Sequence, residues 1–518
     1  MTPFANWTFF GLLLLYGVLP ILLLVLIGKA SARWCFVVTL PILIFIFAHH
    51  DNTVLRLWGW HLPKVGGTVL TRPWTSTATA TEFSPLYLFL ICAAYQMIVP
   101  FAFLRWKSNR NFYFAMVLAL LPLTTNKLLP FVAGESVFGF VGISYVTFRA
   151  VDVIFSIRDG VVKSLSVGQL FAFLFFFPAV SSGPIDRYRR FGQDWVKKRS
   201  RSEFLDDLDF AIQRVVRGFL YKFLIAAQID QHLRAPLLKA GGFWADFGYM
   251  YVYTFYLFFD FAGYTAFAVG VSRLMGIKSP ENFSLPFLAR NIKDFWTRWH
   301  ISLSFWFRDH IYMRFQLAAM KGKWFKSKHT ASYLGLFLTF GLMGVWHGLA
   351  KHYILYGIYH ALLLSGYDWF SRWNKQAKWW PDGRWWRVTN ILLTFHAIAF
   401  GMLLFSGRLT PPPPPAHEEV WEKAEYHEVS GYVWQKQRPA DVIKVDVYVD
   451  DAWVARAKCN LARPDLRARG YGDGEIGFRA ELPAYLRDGR SHIVDVRLSD
   501  GYRPIGKPRP VVFPDENP

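Results

Sequence analysis

The sequence predicts a polytopic α-helical membrane protein that ends in a small β-sandwich. Three observations carry that expectation. Apolar runs of spanning length recur from the N-terminus to residue 405, beginning with the nearly unbroken 8–28. Basic residues cluster in the segments between those runs. After five consecutive prolines at 411–415, the runs give way to short stretches of alternating polarity.

A hydrocarbon core asks a helix for about 20 apolar residues. Runs at 8–28, 34–48, 85–104, 112–125, 128–148, 169–180, 218–227, 250–275, 332–350, 353–364 and 388–405 reach or approach that length. The shorter ones fit tilted or re-entrant helices, so about nine to twelve crossings are expected. The first run has no basic region before it and no small-residue cleavage site, so it reads as a span and not as a cleavable signal. The net charge is +21, yet residues 416–518 hold 16 Lys and Arg against 18 Asp and Glu. The positive charge therefore belongs to the membrane part, in clusters such as Arg187, Arg189 and Arg190, or Lys321, Lys323, Lys326 and Lys328. Short cytoplasmic loops carry such an excess. The same charge steers an acidic cytoplasmic partner, and it requires no nucleic acid.

Three parts follow: a transmembrane domain over 1–409, a linker over 410–415 and an accessory domain over 416–518. A proline run favours an extended, stiff spacer. Beyond it, VIKVDVYV at 442–449 and HIVDVRL at 492–498 alternate as half-buried strands do. Turns are expected at 470–477 and 488–489. The region resembles the small sandwich appended to some bacterial glycosyltransferases, around RPDL (463–466), GFRAELP (477–483) and DGRSH (488–492). It carries no catalytic set and reads as a docking or spacing module. Arg372, Lys375, Lys378, Arg384 and Arg387 precede the final run, which places residues 416–518 outside the cell. The glycosyltransferase likeness points to the cytoplasm instead.

Cys35, Cys92 and Cys459 make no disulfide framework, and no CxxC or HExxH spacing marks a metal site. The chemistry is expected elsewhere. His347 ends a long stretch without charge, in GLMGVWHGLA. An ionisable residue in an apolar span marks a functional site by default. Gly344 and Gly348 form a GxxxG helix-packing pattern, which leaves room beside the imidazole as well. His360 and His396 read as packing residues. The stretch 291–312, NIKDFWTRWHISLSFWFRDHIY, is too charged to span and too aromatic for a soluble loop. Within it Ile292, Phe295, Trp296, Trp299 and Leu303 share one face of a continuous helix, and Asp294 and Arg298 pair at i,i+4. That helix lies at the interface or re-enters.

Two histidines in a membrane suit acyl transfer. A neutral imidazole takes the proton of a hydroxyl as it attacks an activated carbonyl. No Ser or Cys stands in a nucleophile elbow, so direct transfer from a thioester is expected. A transporter or flippase would use the histidine as a proton relay.

Five stretches resemble the membrane-bound O-acyltransferases, and within them the DltB-like proteins of D-alanyl transfer. They are GISYVTFRAVDVIFSIRDG (142–160), FPAVSSGPIDRYRRF (177–191), YLFFDFAGYTAFAVG (256–270), 277–315 and GVWHGLAKHYILYGIYHA (344–361). Relatives that O-acetylate polysaccharides from acetyl-CoA carry a PLGG-type sequence after RD-x-x-Y. Here Met313-Arg314-Phe315 follows Tyr312. The added tail departs from the DltB pattern.

The resemblance implies the fold of that family in a bacterial cytoplasmic membrane. It makes His347 the catalytic histidine and His300 the second active-site position. Trp296, Arg298, Arg308, Asp309, Tyr312, Asp260, Ser182 and Trp346 become tunnel or supporting residues. The donor is an acyl group on the phosphopantetheine arm of a small acidic carrier protein, with no cofactor bound by the chain itself. A DltD-like envelope protein passes the group on. The carrier docks just after RD-x-x-Y, on Met313, Phe315, Leu317, Met320, Lys321 and Lys323.

Overall fold

Backbone amides in hydrocarbon have no water to bond, so apolar runs close their hydrogen bonds within themselves as helices. The computed structural model describes residues 4–5, 7–48, 85–133, 142–240, 242–381, 383–410, 417–435, 443–499 and 505–515. The chain divides into two compact units, Met1–Leu409 and Thr410–Pro518. The prolines 411–415 lie outside the described residues.

The first unit is helical. Its principal helices are α1 (Trp7–Leu26), α2 (Pro85–Arg105), α3 (Asn109–Ala133), α4 (Ile143–Arg158), α5 (Val167–Leu174), α6 (Arg201–Phe219) and α7 (Phe243–Leu274). After them come α8 (Ile292–Trp296), α9 (Ile301–Phe307), α10 (Met313–Lys321), α11 (Lys328–His347), α12 (Lys351–Ala377) and α13 (Arg384–Phe405). Among the described residues, three are long and apolar enough to cross a bilayer: α1, α7 and α13.

Several expected spans are cut differently. The run 34–48 forms two helices, Ala32–Val38 and Leu40–Ala48. Pro41 has no amide to give the Val37 carbonyl, and the ladder breaks at Thr39. The runs 112–125 and 128–148 do not break at Asn126 and Lys127. Instead α3 continues through both to Ala133, and α4 begins at Ile143 after Gly142. A Cβ at Gly142 (φ +94°) would strike the backbone of Val180, so only glycine fits. The run 169–180 is helical only to Leu174, with one tight turn at Phe177–Ala179. Such irregular backbone inside a membrane unit needs protein partners. Arg149 provides them from α4. Its buried guanidinium donates to the carbonyls of Phe173 (3.2 Å), Leu174 (3.0 Å) and Ala179 (2.7 Å). A second arginine, Arg199, donates to the carbonyls of Arg273 and Leu274 at the end of α7, where the helix dipole favours a cation.

Helices α11 and α12 touch backbone to backbone. A Cβ at Gly344 would sit 2.5 Å from the carbonyl oxygen of Tyr353, and one at Gly357 would overlap the carbonyl of Phe340. Small residues permit this approach.

The second unit is a pair of antiparallel sheets. Its strands are β1 (His417–Ala424), β2 (Glu428–Gln435), β3 (Lys444–Val449), β4 (Ala452–Lys458), β5 (Leu461–Ala462), β6 (Glu475–Glu481), β7 (Ser491–Leu498) and β8 (Arg509–Val512). One sheet runs β1-β2-β6-β5 and the other β4-β3-β7-β8. Alternation sets the register: Val445, Val447 and Val449 face Leu498, Val496 and Val494. These side chains fill the core with Trp421, Val433 and Phe478. Residue 442 of the expected first strand is outside the described residues. The expected turn at 470–477 is shorter, with Gly470, Gly472 and Gly474 at positive φ, while Gly477 pairs within β6.

Candidate active site

His347 is the last residue of α11. Gly348 ends the helix in extended backbone (φ 173°), its amide bonded to the Gly344 carbonyl at 3.1 Å. The imidazole is enclosed by rings: Trp346 at 4.4 Å, Phe405 of α13 at 4.9 Å, and Tyr353 and Tyr356 of α12 at 5.9 and 6.4 Å between centroids. Among the described residues none hydrogen-bonds that imidazole. The His347 carbonyl, freed by the helix end, accepts from Lys127 Nζ at 3.1 Å. Gly344 serves the helix seam as the GxxxG reading expects, whereas Gly348 terminates the helix.

His300 arrives from the other arm of the site. The continuous amphipathic helix expected over 292–303 is broken: α8 stops at Trp296, and His300 adopts left-handed backbone (φ +43°, ψ +50°) before α9. That conformation costs a non-glycine residue about 1–2 kcal/mol. Strain of this kind persists where the surroundings impose it, and it clusters at functional sites. Here the surroundings are visible. The Ile301 amide donates to the Asn282 carbonyl at 3.0 Å, Ser302 Oγ donates to Asn282 Oδ1 at 2.6 Å, and Ser302 Oγ accepts from the Ile185 amide at 2.9 Å. His300 is buried, its ring 4.8 Å from Phe261, and its Nε2 has no hydrogen-bond partner. The His300 and His347 imidazoles lie within electrostatic reach of one another.

Other expected residues divide into three groups. Trp346 stands against His347, and both Trp346 and Trp296 have a buried indole N–H with no partner among the described residues. Trp296 packs on Phe340 at 5.0 Å and on His360 at 5.1 Å. Ser182, Asp309 and Tyr312 hold surrounding structure. Ser182 is half-buried beside Ser181, whose Oγ bonds the Tyr264 hydroxyl at 2.5 Å. Tyr312 bonds Ser332 at 2.7 Å, and Asp309 accepts from Arg187 at 2.9 Å. Arg298, Arg308 and Asp260 have partners of their own. Arg298 pairs with Asp294 at 2.8 Å, as expected, Arg308 is exposed over Phe305, and Asp260 pairs with Lys222. Arg308 also pairs with Asp309 at 2.8 Å, so each of the three has an opposite charge beside it.

The α10 surface carries Met313, Leu317 and Met320 exposed at i, i+4 and i+7, beside exposed Lys321 and Lys323. Phe315 departs from the expected set. It points inward, half-buried against Gly335 and 5.9 Å from the Trp324 ring, because helical spacing turns it away from Leu317.

Sequence reasoning missed Lys127, Asn282, Tyr353, Tyr356 and the network around Arg187. In that network Arg187 bonds Asp152 at 3.1 Å and His310 at 2.8 Å, and His310 lies 3.0 Å from Asp152. His360, expected as a packing residue, packs against Trp296, Phe340, Tyr356 and Tyr359. His360 is fully buried, and both its ring nitrogens lack partners. Among the described residues no cluster of His, Cys, Asp or Glu is placed to hold a metal.

The helical unit thus holds a buried His300 and a half-buried His347, neither imidazole with a hydrogen-bond partner among the described residues. Residues 157–407 match the model of the membrane-bound O-acyltransferase family. The chain is 42% identical over 420 residues to the teichoic acid D-alanyltransferase of Bacillus subtilis, covering 79% of this chain and 98% of that protein. It is 41% identical to the teichoic acid D-alanyltransferase of Streptococcus thermophilus, over 64% of this chain and 85% of that one. A probable alginate O-acetylase of Pseudomonas aeruginosa is 33% identical over 43% of this chain and 42% of its own. The chain belongs to the membrane-bound O-acyltransferase family, as a DltB-like member, and is an acyltransferase.

Proposed function

We propose that the protein moves D-alanine, or a similarly small acyl group, from the phosphopantetheine thioester of an acidic carrier protein across the membrane to a cell-envelope acceptor. The observation that carries this reading is the His347 imidazole, without a hydrogen-bond partner among the described residues, at a helix end and within electrostatic reach of His300. A proton acceptor kept free in an aromatic enclosure suits a hydroxyl attacking a thioester. In this reading His347 is the base and His300 supports it. The similarity to two teichoic acid D-alanyltransferases, one along nearly its whole length, supports D-alanine as the group and teichoic acid as the acceptor polymer.

The carrier docks on α10. Met313, Leu317 and Met320 offer an apolar patch rimmed by Lys321 and Lys323, suited to an acidic helix. A DltD-like protein receives the acyl group outside, and residues 416–518 stand on that side near the acceptor. The likeness to alginate O-acetylases, over a smaller part of the chain, favours a second reading: O-acetylation of a polysaccharide from acetyl-CoA. Mass spectrometry of carrier and envelope polymer, with and without the protein, separates the two. Loss of D-alanyl ester and accumulation of loaded carrier supports the first. Loss of acetyl ester alone refutes it.

A further inference from the structure

Lys127 is the feature least explained so far. It lies in the interior of α3, between the two apolar runs that the sequence separates. It is half-buried, and among the described residues no carboxylate pairs with it. Its hydrogen bond is to the carbonyl of His347, at 3.1 Å. A cation kept without a counter-ion inside a membrane unit is costly and marks function. The carbonyl at the end of α11 anchors the ammonium, since a helix C-terminus is negative. One of three N–H donors is used there, and no other described residue takes the remaining two.

We infer that Lys127 is the electrophilic residue of the acyl transfer, its ammonium facing the oxyanion that forms beside His347. The inference rests on the thioester reading above. The acceptor hydroxyl oxygen bonds the thioester carbon while His347 takes its proton. The carbonyl π electrons move to oxygen, and that oxyanion meets the Lys127 ammonium. Collapse restores the C=O bond and breaks the C–S bond, and the proton held by His347 passes to the departing thiolate. A fixed positive group aimed at developing charge is among the largest contributions an active site makes. Anchoring on the His347 carbonyl ties the two groups to one helix end, so proton acceptor and cation keep their spacing.

The experiment uses full-length protein in detergent or vesicles, a D-alanyl-loaded carrier and two acceptors: the natural envelope acceptor and hydroxylamine. Hydroxylamine attacks thioesters without a base, so it bypasses His347 but still forms the oxyanion. The inference predicts that Lys127→Met lowers turnover with both acceptors by about 10²–10³-fold and leaves the carrier KM unchanged. Lys127→Arg, which retains the charge, recovers much of that loss. His347→Ala loses transfer to the natural acceptor but keeps accelerated hydroxylaminolysis. Lys127→Gln replaces the Met variant if that one fails to insert. Normal hydroxylaminolysis in Lys127→Met would overturn the inference, leaving Lys127 to position His347 alone. Wild-type activity in that variant would overturn it too. Wild-type protein that leaves the loaded carrier untouched would refute the functional reading instead.

Discussion

Gly344→Ala should separate packing from chemistry at the α11–α12 seam. The added methyl would stand 2.5 Å from the Tyr353 carbonyl oxygen, where ordinary contact begins at 3.4 Å. The helices must part by about 0.9 Å, because the obstacle is backbone and cannot rotate away. Overpacking of this kind costs about 1–3 kcal/mol, which leaves a folded protein. The larger effect is on rate. His347 is three residues further along the same helix, while Tyr353 and Tyr356 beside it belong to the other. A misplacement near 1 Å costs about 10²-fold in a preorganised site. The assay is single-turnover transfer from loaded carrier, with carrier binding measured in parallel. Gly341→Ala is the control, since its Cβ meets nothing within 4 Å. That variant should retain activity and gain about 0.5–1 kcal/mol of helix stability. Full activity in Gly344→Ala, or equal damage in Gly341→Ala, would refute the reasoning.

Three further outcomes follow from the same structure. Glutamate at Met313, Leu317 or Met320 should weaken carrier co-purification by at least about tenfold while single-turnover chemistry at saturating carrier holds; unchanged binding moves the docking site elsewhere. In the second unit, Asp450 and Asp488 bond His492 and raise its pKa; the Ile493 amide and then His492 lower that of Asp450, and the His492 hydrogen bond lowers that of Asp488. The His492 contribution to stability is present below about pH 6.5 and is lost as pH rises through the raised value, whereas the carboxylate contribution is lost as pH falls below about 4. Thermal melts of residues 416–518 should therefore weaken as pH rises above about 6.5 in the wild type and flatten in His492→Gln; identical profiles would exclude the cluster. Protease added to intact spheroplasts should cut the chain near residues 411–415, and protection until permeabilisation would put the tail in the cytoplasm.

The features legible in the sequence were those with a local signature. Alternation placed β3 and β7, because a sandwich core demands period two along each strand. Isolation in an apolar run singled out His347. Helical periodicity was right for Asp294 and Arg298 but continued one helix through His300, where the break depends on Asn282 and Ser302 from distant and later positions. A left-handed histidine has no sequence mark of its own. Lys127 was misread for the opposite reason. A polar pair ends one apolar run and begins another, and only the partner of Lys127, 220 residues away, accounts for it inside a helix. Arg149 was equally hidden, since its three carbonyl partners carry no side-chain signal.

The central claim is that His347 takes the proton in transfer from a carrier thioester. Its most direct test is single-turnover transfer by correctly inserted His347→Ala protein, with carrier affinity measured on the same preparation. The account predicts a rate about 10²–10⁴-fold below wild type with carrier affinity unchanged. A near-normal rate would contradict it.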